Sequence, residues 1–223
     1  MKYRHEWKQE INYADMLTLR MRLSAIMNRD EHSLKGSYSV KSLYFDTPDD
    51  KALREKINGV NIREKFRLRY YDGDSSVIFL EKKSKINGLC LKQRCSVSAE
   101  EVRKLIYGDI SWMPKSGRPL CMELYSKMQT QLLAPKTIVD YTREAFTYPA
   151  GNVRITLDYN IRTGCSRRDF LDPQVLTVPA GDSPIILEIK WDEFLPDVIR
   201  DAVAIPGRRV SACAKYAQCR IYG

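Results

Sequence analysis

Residues 61–72 read NIREKFRLRYYD and place Arg63, Lys65, Arg67 and Arg69 at alternate positions. In a strand, alternate side chains share a face. Four cations then stand in a row, while Glu64, Phe66, Leu68 and Tyr70 take the opposite face. Such a row repels itself unless an anion lies against it. Phe66, Leu68 and Tyr70 give the other face enough apolar surface to pack against a second layer.

Period-2 alternation recurs at 3–11, 38–46, 76–85, 89–97, 138–147, 153–161 and 184–191. In the first of these, Arg4, Glu6, Lys8 and Glu10 share a phase, and Tyr3, His5, Trp7 and Ile11 take the other. Glu81, Lys83 and Lys85 align in the next cationic segment, as do Lys92 and Arg94, and Tyr141 and Arg143. Arg154, Thr156, Asp158 and Arg162 fall in one phase of 153–162, and Glu188 and Lys190 in one phase of 184–191. A solvated face mixes Ser, Thr, Gln, Lys and Glu loosely. Here Arg and Lys alternate with single carboxylates in strand after strand, opposite good apolar stripes. That pattern predicts an antiparallel barrel with an apolar, helix-covered outside and a wet cationic inside, closure removing the sheet edges.

Helices are expected after Asn12, an N-cap candidate, to about residue 28, and after Ser98, where SAEE is a capping box. Others are expected at roughly 121–133, 192–204 and 211–219. The PAGDSP stretch at 179–184 reads as a turn, and no linker or repeat divides the chain, so 1–223 is expected to be one domain.

There are 37 Lys and Arg against 28 Asp and Glu, a formal charge of +9. This balance suits nucleic acid, anionic lipid or a phosphorylated small molecule. Most aromatics fall on the apolar phase rather than among the cations, so nucleic acid is not the expected guest. No run of about 18 apolar residues would span a membrane, and MKYRHEWKQEI has no apolar signal region. The six cysteines, at 90, 95, 121, 165, 213 and 219, form no CxxC pair, and only two histidines are present, so a zinc site is not expected. Scattered thiols predict a cytoplasmic protein, brought to a membrane face only through a partner. His5 reads as a packing or outer-face residue and His32 as a loop residue. A cationic lumen asks for a polyanion. Interspersed acids add a hard divalent cation, which takes carboxylate and phosphate oxygens together.

In chain order, YRHEWKQEI (3–11), SLYFDT (42–47), FRLRYY (66–71), FLEKKSK (79–85) and KQR (92–94) are followed by YTREAF (141–146), VRITLDYNI (153–161), ILEIKW (186–191) and AKYAQC (214–219). Together they resemble the VTC (vacuolar transporter chaperone) domain, the polyphosphate polymerase branch of the triphosphate tunnel metalloenzyme superfamily. The resemblance implies an α+β fold, an antiparallel eight-stranded tunnel-like β-barrel with a cationic lumen and surrounding helices. It implies that Lys8, Arg67, Arg69, Lys83, Lys92, Arg143 and Lys215 contact phosphates and that Glu188 holds a divalent metal, Mn²⁺ or Mg²⁺. Glu6 and Glu81 are further metal candidates. Arg4, Arg63, Lys65, Lys85, Arg94, Arg154 and Lys190 are further phosphate-binding candidates. Tyr44, Phe45 and Asp46 read as structural.

The implied reaction is transfer of the ATP γ-phosphate to a growing inorganic polyphosphate chain, with phosphate or pyrophosphate as smaller partners. Hydrolytic and cyclising relatives begin with an ExExK pattern, where this chain has Arg4, Glu6 and Lys8. The exchange of an acid for a cation favours the polymerase over a triphosphatase or a nucleotide cyclase; a non-catalytic polyphosphate-binding module stands as the alternative from another class. A family cation three residues before Lys215 is Ala212 in this chain.

Overall fold

The computed structural model describes residues 3–31, 36–182, 184–210 and 213–222; His32 and Ala212 lie outside them. The strands, in chain order, are β1 (His5–Ile11), β2 (Asn28–Arg29), β3 (Tyr38–Asp46), β4 (Arg63–Tyr71), β5 (Asp74–Ile86), β6 (Leu89–Val97), β7 (Ala134–Tyr148), β8 (Val153–Gly164), β9 (Thr177–Pro179) and β10 (Ile185–Trp191). Eight of them make one antiparallel path in the order β1-β10-β8-β7-β3-β4-β5-β6, with β2 beside β7 and β9 beside β8. Arg4, just before β1, meets Cys90 of β6, and each amide donates to the other's carbonyl at 3.0 Å. That isolated bridge brings the two ends of the path together, and the eight strands curl as a half-barrel rather than closing along the full length of β6.

Local chemistry places the hairpins. Asp72 and Gly73 join β4 to β5 with φ of 50° and 72°, and Asn87 and Gly88 join β5 to β6 with φ of 49° and 83°. Two consecutive positive φ angles match the twist of the flanking strands, and Asp-Gly and Asn-Gly adopt them at low cost.

The outward faces pack as their apolar phase predicted. Leu43, Phe66, Leu68, Tyr70 and Leu80 are buried with residues of α3 (Ala99–Ile106) and α4 (Pro119–Gln131) and with Phe170. On the other side, Phe146, Ile155, Leu157, Leu187 and Ile189 are buried with α1 (Tyr13–Ile26) and α5 (Asp197–Ala202). Each large side chain so buried contributes about 1.5–3 kcal/mol. Capping boxes at Asn12 and Ser98 start α1 and α3 as expected. The helix expected at 211–219 appears as α6 (Lys215–Tyr222). None of the described helices is long and apolar enough to cross a membrane.

Two features depart from the sequence reading. The stretch after Thr47 forms a helix, α2 (Lys51–Ile57), for which no helix was expected. Asn160 in β8 takes φ of 52°, and the register against β7 shifts there. This bulge takes Arg162 out of the phase of Arg154, and its guanidinium donates to the Thr177 hydroxyl and carbonyl instead. His5 follows its reading: it lies at the surface with its ring stacked on Trp191, the centroids 5.3 Å apart.

Candidate active site inside the barrel

The inward phases of the strands enclose a cavity of about 910 Å³. Among the described residues, fourteen Lys and Arg but only two carboxylates, Glu6 and Glu188, line it. Thirteen of the expected cations are there: Arg4, Lys8, Arg63, Lys65, Arg67, Arg69, Lys83, Lys85, Lys92, Arg143, Arg154, Lys190 and Lys215. Arg94 is the exception. It stands opposite Glu81 in the β5–β6 ladder, yet it is exposed and its guanidinium lies 4.8 Å from the Phe79 ring centre, outside the cavity. The fourteenth cation, Lys56, comes from α2.

On one wall, Arg67 of β4 donates to Glu81 through Nε at 2.8 Å and to the Tyr44 hydroxyl through Nη1 at 2.8 Å. Lys92 takes the other oxygen of Glu81. Burial pushes the Glu81 carboxyl up, but Arg67, Arg69 and Lys92 outweigh it and hold the group well below the usual range. Glu81 therefore anchors the cations behind the wall. Arg69 donates to Ser42 Oγ at 2.9 Å and to the Tyr141 hydroxyl at 3.1 Å. Both guanidiniums are thus fixed by neighbours while still bordering the cavity.

On the facing wall, Glu6 and Glu188 come together around lysines. Lys8 lies 3.5 Å from Glu6 and 3.4 Å from Glu188, Lys190 lies 3.8 Å and 3.2 Å from the same pair, and Lys83 also holds Glu6. Burial raises both carboxyls, but the lysines win and keep each lowered. Deeper in, Asp158 is fully buried, and the Arg143 guanidinium forks onto it at 2.6 and 2.7 Å. Lys215, the first residue of α6, meets the same carboxylate at 2.6 Å. At the rim, Arg4 pairs with Asp192 at 2.9 Å, and Arg154 donates to Asp30 and to the Tyr38 hydroxyl at 3.0 Å each.

The crowding leaves several groups poised near neutrality. Burial, joined by neighbouring cations, brings Lys56 and Lys65 down to about 8. Burial pushes the Tyr44 phenol up, but Arg67, Arg69 and Lys65 bring it down to about 7. Tyr44 is a site residue that the apolar surroundings of SLYFDT hid, because it shares the inward phase of β3 with Ser42. Lys56 could have been found from DTPDDKALREK, where turn formers precede a run of good helix formers.

Among the described residues, no three acidic, histidine or cysteine side chains lie close enough to hold a metal by themselves. Glu6 and Glu188 supply two carboxylates beside the phosphate-sized space. That donor set fits a hard divalent cation whose remaining ligands are phosphate oxygens and water. Glu81 is not among the residues that line the cavity, and its oxygens face Arg67 and Lys92 behind the wall.

The family model of the VTC domain matches residues 3–221. A solved Hippeastrum structure, of an adenylyl cyclase candidate described as having a dominant triphosphatase activity, shares the fold with a TM-score of 0.58 and 12% identity. That match covers 100% of this chain and 96% of the other. An adenylate cyclase candidate from Bacillus halodurans superposes with a TM-score of 0.52 and 13% identity, over 85% of this chain and 80% of its own. No curated protein matches the sequence.

Proposed function

Because the chain belongs to the VTC domain family, we propose that it is a polyphosphate polymerase, moving the γ-phosphoryl group of ATP onto a growing polyphosphate chain inside the barrel. The observation that carries the reading is the charge of the cavity wall, fourteen cations against two carboxylates among the described residues. A polyanion longer than one phosphate neutralises such a wall, and Arg forks match its oxygens.

The side chains divide the work. Arg67 and Arg69 hold phosphates on the β4 wall, and Lys8, Lys83, Lys190, Arg143 and Lys215 hold them on the facing wall. Arg4, Arg63, Lys85 and Arg154 receive the chain at the rim. Glu6 and Glu188 would hold the divalent cation, Mn²⁺ or Mg²⁺, which when bound supplies Lewis-acid charge to phosphoryl oxygens. Alignment of an anionic acceptor with the γ-phosphorus needs no strong base, so catalysis rests on positioning and charge stabilisation. Arg4, pinned by Asp192, stands where hydrolytic relatives carry an acid, which leaves fewer groups to activate a water.

Incubation with ATP and MnCl₂, followed by sizing of the products on a gel, tests this. A ladder of phosphate chains with stoichiometric ADP is expected, abolished by a chelator and by Glu188→Gln. Orthophosphate without chains would replace the polymerase by a triphosphatase. Tight polyphosphate binding without turnover would leave a binding module.

A further inference from the structure

Asp46 ends β3 as a carboxylate only 1% exposed, outside the cavity. Its four partners are neutral donors. Oδ1 accepts from the amides of Thr47 at 2.9 Å and Ala52 at 2.8 Å. Oδ2 accepts from the amide of Leu53 at 3.2 Å and from the Tyr216 hydroxyl at 2.6 Å. Ala52 and Leu53 lie in the first turn of α2, whose amides have no partner within the helix. Tyr216 is the second residue of α6.

Each of those helices carries one lumen cation. Lys56 stands in the last turn of α2, and Lys215 opens α6 immediately before Tyr216. All other lumen cations come from strands or their flanks, where the ladder sets their place. Lys56 and Lys215 have no ladder. One carboxylate ties both of their helices to the end of a barrel strand. Arg220 also reaches Asp50 across the two helices at 3.2 Å, but a partly exposed pair of that kind contributes little.

We propose that Asp46 is a positioning residue for the phosphate site. It sets Lys56 through the α2 amides and Lys215 through Tyr216, and so fixes where the two helix-borne charges enter the lumen. The assignment of the lumen to phosphate rests on the function proposed above; the placement of the two lysines by Asp46 does not, and the test separates them.

The first measurement needs no ligand. Lysine acetylation rates by mass spectrometry should rise for both Lys56 and Lys215 in Asp46→Asn. In Tyr216→Phe they should rise for Lys215 alone. Loss of one buried hydrogen bond of this kind corresponds to about a five- to tenfold change. Lys41, buried on the outward side of β3 against the Tyr70 ring, is the control, because general loosening would raise its rate too. Unchanged Lys56 and Lys215 rates, or an equal rise at Lys41, would overturn the proposal. If Asp46→Asn does not fold, Tyr216→Phe decides alone.

The second measurement is tripolyphosphate affinity by titration calorimetry. Tyr216→Phe should weaken binding about five- to tenfold, and should have no further effect in a Lys215→Ala background. Additive losses would overturn the route through Lys215. A wild-type protein that ignores tripolyphosphate, with acetylation rates shifted as stated, would remove the phosphate reading and leave the positioning role standing.

Discussion

Arg67 touches Glu81 and Tyr44 at once, so its removal has two effects. Arg67→Ala leaves a carboxylate that is 1% exposed with Lys92 as its main remaining partner, and unpaired buried charge destabilises. Arg67→Lys keeps the charge and loses the fork. The expected outcome is a lower melting temperature for the alanine variant only. Both should lose synthesis on the ATP gel, the lysine variant by about 100-fold, in line with the loss of one preorganised donor. Asp158 gives the converse case. Asp158→Asn strips charge compensation from Arg143 and Lys215, and breaking a buried pair costs about 3–5 kcal/mol. Thermal melts should show a marked drop that tripolyphosphate reverses in part, because added phosphate supplies the missing negative charge. No drop would mean that the fork contributes little. The cations were legible because Arg and Lys repeat at every second position. Tyr44 and Asp158 were harder to read: one sits in an apolar-looking stretch, and the other looked like any carboxylate in a strand.

The strands could be read as elements because one face of each is charged and the other packs. What changes the face of a residue in mid-strand could not. The bulge at Asn160 turns Arg162 away, and no local composition marks it. Arg94 keeps its phase but loses the cavity, because beyond the Arg4–Cys90 bridge β6 has no described strand on its free side. α2 was missed because seven residues give too little periodicity to recognise. α1, α3, α4 and α5, which bring no cation to the lumen, are scaffold on this account. Asn12→Ala removes the side-chain half of the α1 capping box and should cost about 1 kcal/mol. It should lower the melting temperature while leaving tripolyphosphate affinity unchanged. A weakened affinity would show that α1 shapes the lumen.

Across the whole molecule, crowding of like charge makes stability depend on pH. Lys56 and Lys65 titrate at about 8 in the folded protein, against about 10.4 in an unfolded chain. Tyr44 ionises at about 7 when folded, against about 10 unfolded. All three pKa values are depressed by folding, so between these limits the unfolded chain holds more protons and stability rises with pH. Their contribution is complete above about 10 and is lost as the pH falls through 8 and then 7. Melting of the ligand-free protein should therefore shift upward from pH 7 to 9, and bound polyphosphate should flatten the dependence. A flat ligand-free profile would contradict the lumen electrostatics.

The ladder that joins β1 to β10 pairs His5 with Trp191. Neighbours so far apart along the chain can meet only after the whole stretch between them has left the ribosome. High contact order of this kind slows folding. Until β10 arrives, β1 carries Trp7 and Ile11 on one side and an unneutralised charged row on the other. A nascent chain in this state needs either rapid completion or protection by a chaperone, and its folding yield should depend on elongation speed more than on the stability of the finished barrel.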